Sequence, residues 1–182
     1  MPNSATLYRA AMLPGNDLGN AIAETQMPNG RGTPLILPLP SNNSLANKRF
    51  AMAVAGRVDA TINTTFTLNV YFGFSTTIAS NTQIFNCGAI TVNTQNTNFN
   101  LRIEFYWDNV SNTITGSGQG FMANSPIGPA TLVNIITNVD PNRDSNTFLA
   151  SGTTYAFTLT GQFGNTSAGN HASVNIFDLE TL

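Results

Sequence analysis

The residues that could act in catalysis are few and scattered along the chain. His171 is the only histidine, and it lies in a Gly/Asn/Ser-rich run typical of a loop. A Ser-His-Asp triad would have to use His171, but no nucleophile-elbow motif accompanies it. Glycoside hydrolysis needs two carboxylates that flank a sugar, and the sequence does not show which of the carboxylates, if any, meet in space. We therefore expect no catalytic residue and interpret His171 as a solvated histidine; a small sandwich hydrolase is kept as a third alternative.

Two short motifs resemble ligand-binding loops without completing them. The run from Asp140 to Ser145 looks like the first half of a calcium loop, but Ser145 and Ser151 stand where that loop needs Gly and Glu. The run Gly116-Ser117-Gly118-Gln119-Gly120 has no following Lys to hold a phosphate. Glycine at every second position instead gives a strand one bare face, against which a backbone or an aromatic ring packs closely. We expect neither a metal nor a cofactor.

Three further residues, Cys87, Tyr106 and Trp107, have side chains that could react or bind a partner. Cys87 is the only cysteine, which excludes an internal disulfide and makes it a small buried hydrophobe in the simplest interpretation. Tyr106 and Trp107 could contact a neighbouring subunit or stack on a sugar. A tryptophan at the end of an alternating apolar run is more often part of the core, so both interpretations stay open.

The composition favours association over binding to nucleic acid. Charged residues make up 9% of the 182 residues, where about 25% is usual, and the net charge is −2. A small net charge promotes association between protein molecules. Lys and Arg form no patch of the kind that binds nucleic acid, and no stretch approaches the 18 apolar residues of a membrane span. We expect a homo-oligomer that binds neither nucleic acid nor membrane.

Residues 48–182 carry the alternating pattern of β-strands. Phe66 to Phe74 alternate apolar with polar or small residues, as do Leu101 to Trp107. Val174 and Phe177 fall on opposite parities within the last run, which predicts a bulge or two-sided burial. The pattern indicates about eight short strands separated by Asn- and Gly-rich turns. It predicts an all-β fold: an antiparallel β-sandwich or jelly roll.

Residues 1–47 differ from the rest and predict an extended Pro/Asn/Gly-rich N-terminal arm. They contain six of the nine prolines, which are difficult to place in a central strand. Residues 5–13 predict a short helix ended by Pro14. Leu35, Ile36, Leu37 and Leu39 form an apolar run broken by proline. Because exposed apolar segments need a surface to cover, the arm either packs on its own domain or docks on a neighbouring subunit.

The strand pattern resembles the jelly-roll domains of tailed-bacteriophage virion proteins. The runs that carry the resemblance are 66–74, 84–90, 101–105, 116–121, 157–163 and 177–182. Among these proteins the chain looks most like capsid decoration (cement) proteins and the head domains of tail or fibre proteins. The resemblance covers residues 48–182 and leaves out the arm.

The resemblance implies a structural part of a virus particle. Decoration proteins of this kind form trimers on the capsid exterior and clamp neighbouring copies of the major capsid protein. The implied localisation is the virion, after assembly in the host cytoplasm. The resemblance does not cover the arm, but an arm whose residues Leu35, Ile36, Leu37 and Leu39 dock on a neighbour would agree with this role. The alternative is a phage tail or fibre head domain that recognises a host surface glycan. The absence of a repetitive shaft or coiled coil in the sequence favours decoration.

Overall fold

The described part of the chain is built from β-strands. The computed structural model describes residues 6–11, 17–28, 36–38, 49–60, 63–73, 78–92, 97–108, 113–122, 125–130 and 156–182. The strands in these ranges are β1 (Thr6–Ala11), β2 (Thr25–Gln26), β3 (Ile36–Pro38), β4 (Arg49–Asp59), β5 (Thr64–Gly73), β6 (Thr82–Asn86), β7 (Ile90–Val92), β8 (Thr97–Asp108), β9 (Thr113–Met122), β10 (Ser125–Ala130), β11 (Ala156–Phe163) and β12 (His171–Thr181). A 3₁₀ turn covers Ile78–Ser80. In the same ranges, no helix has the length and apolar character needed to traverse a bilayer.

The strands form two antiparallel sheets. Sheet A has the order β1-β12-β4-β8-β9-β10, and sheet B has the order β2-β11-β5-β6, with β3 also on β11 and β7 also on β5. The pairings of the long strands are nested along the sequence: β4 pairs with β12, and β5 and β11, which lie between them in the sequence, pair with each other. The prediction of an all-β antiparallel sandwich is confirmed. The jelly roll stays a prediction.

Aromatic rings fill the space between the sheets. Phe50 and Phe105 of sheet A lie 5.1 Å apart between ring centroids, and Phe157 of sheet B lies 5.9 Å from Phe50. At the other end of the core, Phe66 packs 5.0 Å from Phe163. These rings are at most 4% exposed. Each contributes both buried apolar area and the favourable contacts of paired rings.

Two local predictions are confirmed where the sheets meet. A β-carbon built on Gly118 of β9 would overlap the ring of Phe85 of sheet B, so the bare glycine face admits an aromatic ring. The register of β12 against β4 shifts between Val174 and Ile176, which is the predicted bulge. The extra residue returns Phe177 to the core face with Val174, both fully buried, and leaves Ile176 44% exposed.

The N-terminal residues join the same two sheets. β1 pairs with β12 at the edge of sheet A, so the predicted helix over residues 5–13 is wrong within Thr6–Ala11. Pairing along β12 outweighs the weak helix preference of this short run. β2 and β3 both pair with β11 of the chain's own sheet B. Leu18 and Met27 enter the core at 7% and 0% exposure, so this part packs on its own domain.

Candidate functional site

A row of exposed side chains crosses the outer face of sheet A at one end of three neighbouring strands. Arg49 of β4 lies opposite Tyr106 of β8, and the Leu182 N–H donates to the Arg49 carbonyl oxygen at 3.0 Å. Phe50, the next residue of β4, is fully buried, so Arg49 points outward by the alternation of a strand. Tyr106 is 42% exposed and Leu182 is 41% exposed. We call Leu182, Arg49 and Tyr106 the Tyr106 row.

Ion pairs lie directly beside the Tyr106 row. Arg49 Nη2 is 3.4 Å from Glu104 Oε2, and Arg102 Nη1 is 2.6 Å from Glu180 Oε1. Arg102 also approaches Glu104, which links the four side chains into one network over β4. The hydrogen bond to Glu180 raises the pKa of Arg102. Because these side chains are 28–67% exposed, the pairs contribute little to stability and leave Arg49 free to exchange partners.

The Tyr106 row has the composition of an interaction surface. Tyrosine and arginine are the residues, together with tryptophan, that most often anchor protein interfaces. Leu182 adds apolar area beside them. The row can therefore bury a ring and an aliphatic side chain against a partner while Arg49 pairs with a partner carboxylate.

The structure places the other predicted site residues in different parts of the fold. Trp107 follows Tyr106 in β8, where its backbone lies opposite Ile114 of β9. Ile36 and Leu37 lie in β3, opposite Thr158 and Phe157 of β11. Leu35 and Leu39, like the possible calcium loop from Asp140, lie outside the described residues. The structure therefore does not bring the arm residues Ile36 and Leu37 to the Tyr106 row, which is built on the other sheet.

On the outer face of sheet B, three hydrogen-bond donors surround the carboxylate of Glu24, and we call this group the Glu24 cluster. The sequence did not indicate it. Glu24 accepts hydrogen bonds from Asn69 Nδ2 at 2.6 Å, Tyr71 Oη at 2.8 Å and Thr160 Oγ1 at 2.6 Å. Asn69 and Thr160 are only 4% and 0% exposed. Burial, and the hydrogen bond to Glu24, raise the pKa of Tyr71. The three neutral donors hold the segment before β2 against β5 and β11.

The titratable residues considered for catalysis do not form a deep site in the described part of the chain. His171 Nδ1 is 2.9 Å from Asp17 Oδ2, with both side chains more than two-fifths exposed, and this contact is an ion pair only when the imidazole is protonated. No group of three His, Cys, Asp or Glu residues in the described ranges is arranged to hold a metal ion. A depression of about 330 Å³ elsewhere has a neutral lining of Asn63, Thr64, Thr65, Thr91, Gly164 and Asn165.

Cys87 sits beside the core, as a small hydrophobe would. Its sulfur accepts a hydrogen bond from the Leu68 N–H at 3.0 Å. Burial raises the pKa of the Cys87 thiol to about 11, so almost no reactive thiolate forms near neutral pH.

Comparison with known protein families, with curated proteins and with solved structures gave no match to this chain.

Proposed function

We propose that this chain is a non-enzymatic structural protein of a bacteriophage particle, a decoration or cement protein that binds and stabilises the shell of the major capsid protein. It acts as a homotrimer on the capsid exterior, without a cofactor. The Tyr106 row is the observation that carries the proposal: an exposed Tyr-Arg-Leu surface on an antiparallel sheet, in a chain whose charged fraction is only 9%. Such a surface suits a lasting contact between proteins.

The mode of binding follows from the chemistry of the row. Tyr106 and Leu182 bury their apolar parts against the shell, and the Arg49 guanidinium pairs with a carboxylate of the capsid protein. The arm residues Leu35, Ile36, Leu37 and Leu39 add a second contact in this proposal. Deleting the arm would not test it, because Leu18 and Met27 belong to the core of the sandwich.

Point variants that leave the core intact test the proposal. Tyr106→Ala combined with Arg49→Ala is expected to weaken binding to empty capsids by about 100-fold, since two interface anchors are lost. Co-sedimentation with purified empty heads at increasing protein concentration measures the change. Asn100→Ala is the matched control, because Asn100 is exposed on the outer face of the same strand. Full occupancy by the double variant at wild-type concentrations would contradict the role of the row.

A glycan-binding head domain of a tail or fibre protein is the second candidate, and the exposed ring of Tyr106 favours it. Tyr106 is 42% exposed, and an exposed aromatic residue can stack on a sugar ring. This candidate predicts binding of the oligomer to host surface polysaccharide on a glycan array, with the signal lost in Tyr106→Ala and kept in Asn100→Ala. An array without any signal above background contradicts it.

A further inference from the structure

A further exposed apolar side chain, Ile176, lies on the outer face of sheet A, the face that carries the Tyr106 row. It lies opposite Ala55 of β4, just after the shift in register that forms the bulge of β12. The bulge keeps Val174 and Phe177 in the core and leaves Ile176 44% exposed. Bulges often re-aim a side chain beside a functional surface. The exposure of Ile176 is therefore produced by the strand pairing itself, inside the sheet.

Small side chains form the surface between the Tyr106 row and this isoleucine. β4 places Ala51, Ala53 and Ala55 at alternate positions on the face opposite to its core residues, and the last two are partly exposed. The ion pair between Arg102 and Glu180 crosses β4 beside Ala51, which is fully buried. The surface along β4 is therefore low and flat for about 20 Å, the length of six residues of a strand.

Charges on this face are balanced by pairs within the chain. The paired side chains are Arg49 with Glu104, Arg102 with Glu104 and Glu180, and Arg57 with Asp59. Nucleic acid and anionic lipid are bound by patches of unbalanced positive charge. A protein surface can cover paired charges, because each charge keeps its partner when water leaves. The charge distribution therefore favours a protein partner for this face.

The size of a stable contact requires more than the Tyr106 row. Stable interfaces bury about 800 Å² on each partner, and three side chains fall well short of this area. The row lies where β4 begins, so a partner gains area by extending along β4. Sheet A is six strands wide, and its outer face between residues 49 and 57 measures about 24 Å by 26 Å, or about 600 Å² before side-chain relief is added.

We propose that the protein bound at the Tyr106 row covers the outer face of sheet A along β4 and receives Ile176 in an apolar recess. The partner is the shell of the major capsid protein, so this inference rests on the proposed function and adds a further anchor to it. The partner surface is flat, with the recess for Ile176 about 20 Å from the carboxylate that pairs with Arg49.

A pair of exposed isoleucines tests the anchor. Ile176→Ser is expected to weaken binding to empty heads about 10-fold in co-sedimentation, because an aliphatic anchor is lost from the contact. Ile22→Ser is the matched control: Ile22 is 50% exposed, and its carbonyl oxygen accepts a hydrogen bond from Gln162 of sheet B. We expect the control to bind as the wild type does. Equal binding by the two variants would overturn the anchor.

Thiol labelling locates the covered face directly. Ile176→Cys and Ile22→Cys both keep Cys87, so its labelling is common to the two proteins. On empty heads, we expect a maleimide to label position 176 at least about 10-fold more slowly than in the free protein, with position 22 unchanged, because only the buried thiol is shielded. Unchanged labelling at 176 would overturn the proposal, as would equal protection in concentrated protein without heads, which would identify a second copy as the occupant.

The same measurements separate this inference from the proposed function. If the wild type does not bind empty heads, both are wrong. If Tyr106→Ala with Arg49→Ala weakens binding while Ile176→Ser does not, the proposed function stands and the extended contact is wrong.

Discussion

Replacing Glu24 with alanine is expected to lower the free energy of unfolding by about 3 kcal/mol, although Glu24 lies outside the apolar core. The substitution leaves Asn69 Nδ2 and Thr160 Oγ1 without their acceptor in places that solvent hardly reaches. A buried donor that loses its partner costs about 1–3 kcal/mol, and hydrogen bonds to a charged group are at the upper end of the range. Urea unfolding at neutral pH measures the loss.

Glu104→Ala is the matched control for Glu24→Ala. Glu104 contacts two partners where Glu24 has three, but its side chain is 41% exposed and the side chains of its partners, Arg49 and Arg102, are 67% and 41% exposed. We expect this control to lose less than about 1 kcal/mol, as exposed ion pairs do. Equal losses for the two variants would show that the donors around Glu24 find other partners, contrary to our reading of the cluster.

The same cluster makes stability depend on alkaline pH through Tyr71. Because the pKa of Tyr71 is raised in the folded protein, its neutral phenol contributes stability that is complete below the unfolded value of about 10. That contribution is lost as pH rises above this value, since the unfolded chain then releases the proton first. Tyr71→Phe should remove this part of the alkaline loss, which unfolding curves between neutral pH and about pH 11 would reveal.

Gly118→Val is expected to destabilise the sandwich by about 2 kcal/mol by forcing a side chain into the ring of Phe85. The ring is 1% exposed and has little room to move, because it lies between the two sheets. Overfilling a packed core usually costs about 1–3 kcal/mol. The higher strand preference of valine offsets part of this cost, by up to about 1 kcal/mol.

A double-mutant cycle with Phe85→Leu separates this clash from other effects of valine. Phe85→Leu alone should be destabilising because buried volume is lost. The loss of stability in the double variant should be smaller than the sum of the two single losses by at least about 1 kcal/mol. The reason is that the smaller leucine side chain leaves room for the valine. Additive losses would mean that Gly118 is needed for its backbone and not for the space that it leaves.

Much of the sandwich could be predicted from side-chain alternation. In β5 the buried residues Phe66, Leu68 and Val70 recur at every second position, and this period was sufficient to place the strand. The parity change between Val174 and Phe177 likewise predicted either a bulge or two-sided burial, and the register shift in β12 shows that it is a bulge. Local patterns of this kind record which face of a strand is buried.

The N-terminal structure and the Glu24 cluster could not be predicted in the same way. Residues 6–11 are a strand because β12, which lies about 170 positions later, offers an edge to pair with. Glu24 bonds to Thr160 across 136 positions of sequence, and a lone glutamate in a short segment of mixed polarity carries no local signal. Thr158 and Thr160, on the polar face of β11, are both buried, but this burial is visible only after folding and could not be used as a sequence signal.

The pairing of β1, β2 and β3 with β11 and β12 has a consequence for the order of events on the ribosome. These strands leave the exit tunnel well before their partners, which lie more than 100 positions later in the sequence, so neither sheet can be completed until β11 and β12 have been translated. Such long-range pairing also slows spontaneous folding. Neighbouring nascent chains on one polysome would therefore carry unpaired β1, β2 and β3 strands at the same time. The time between the synthesis of these strands and the completion of the two sheets depends on the rate of translation, which codon usage can change.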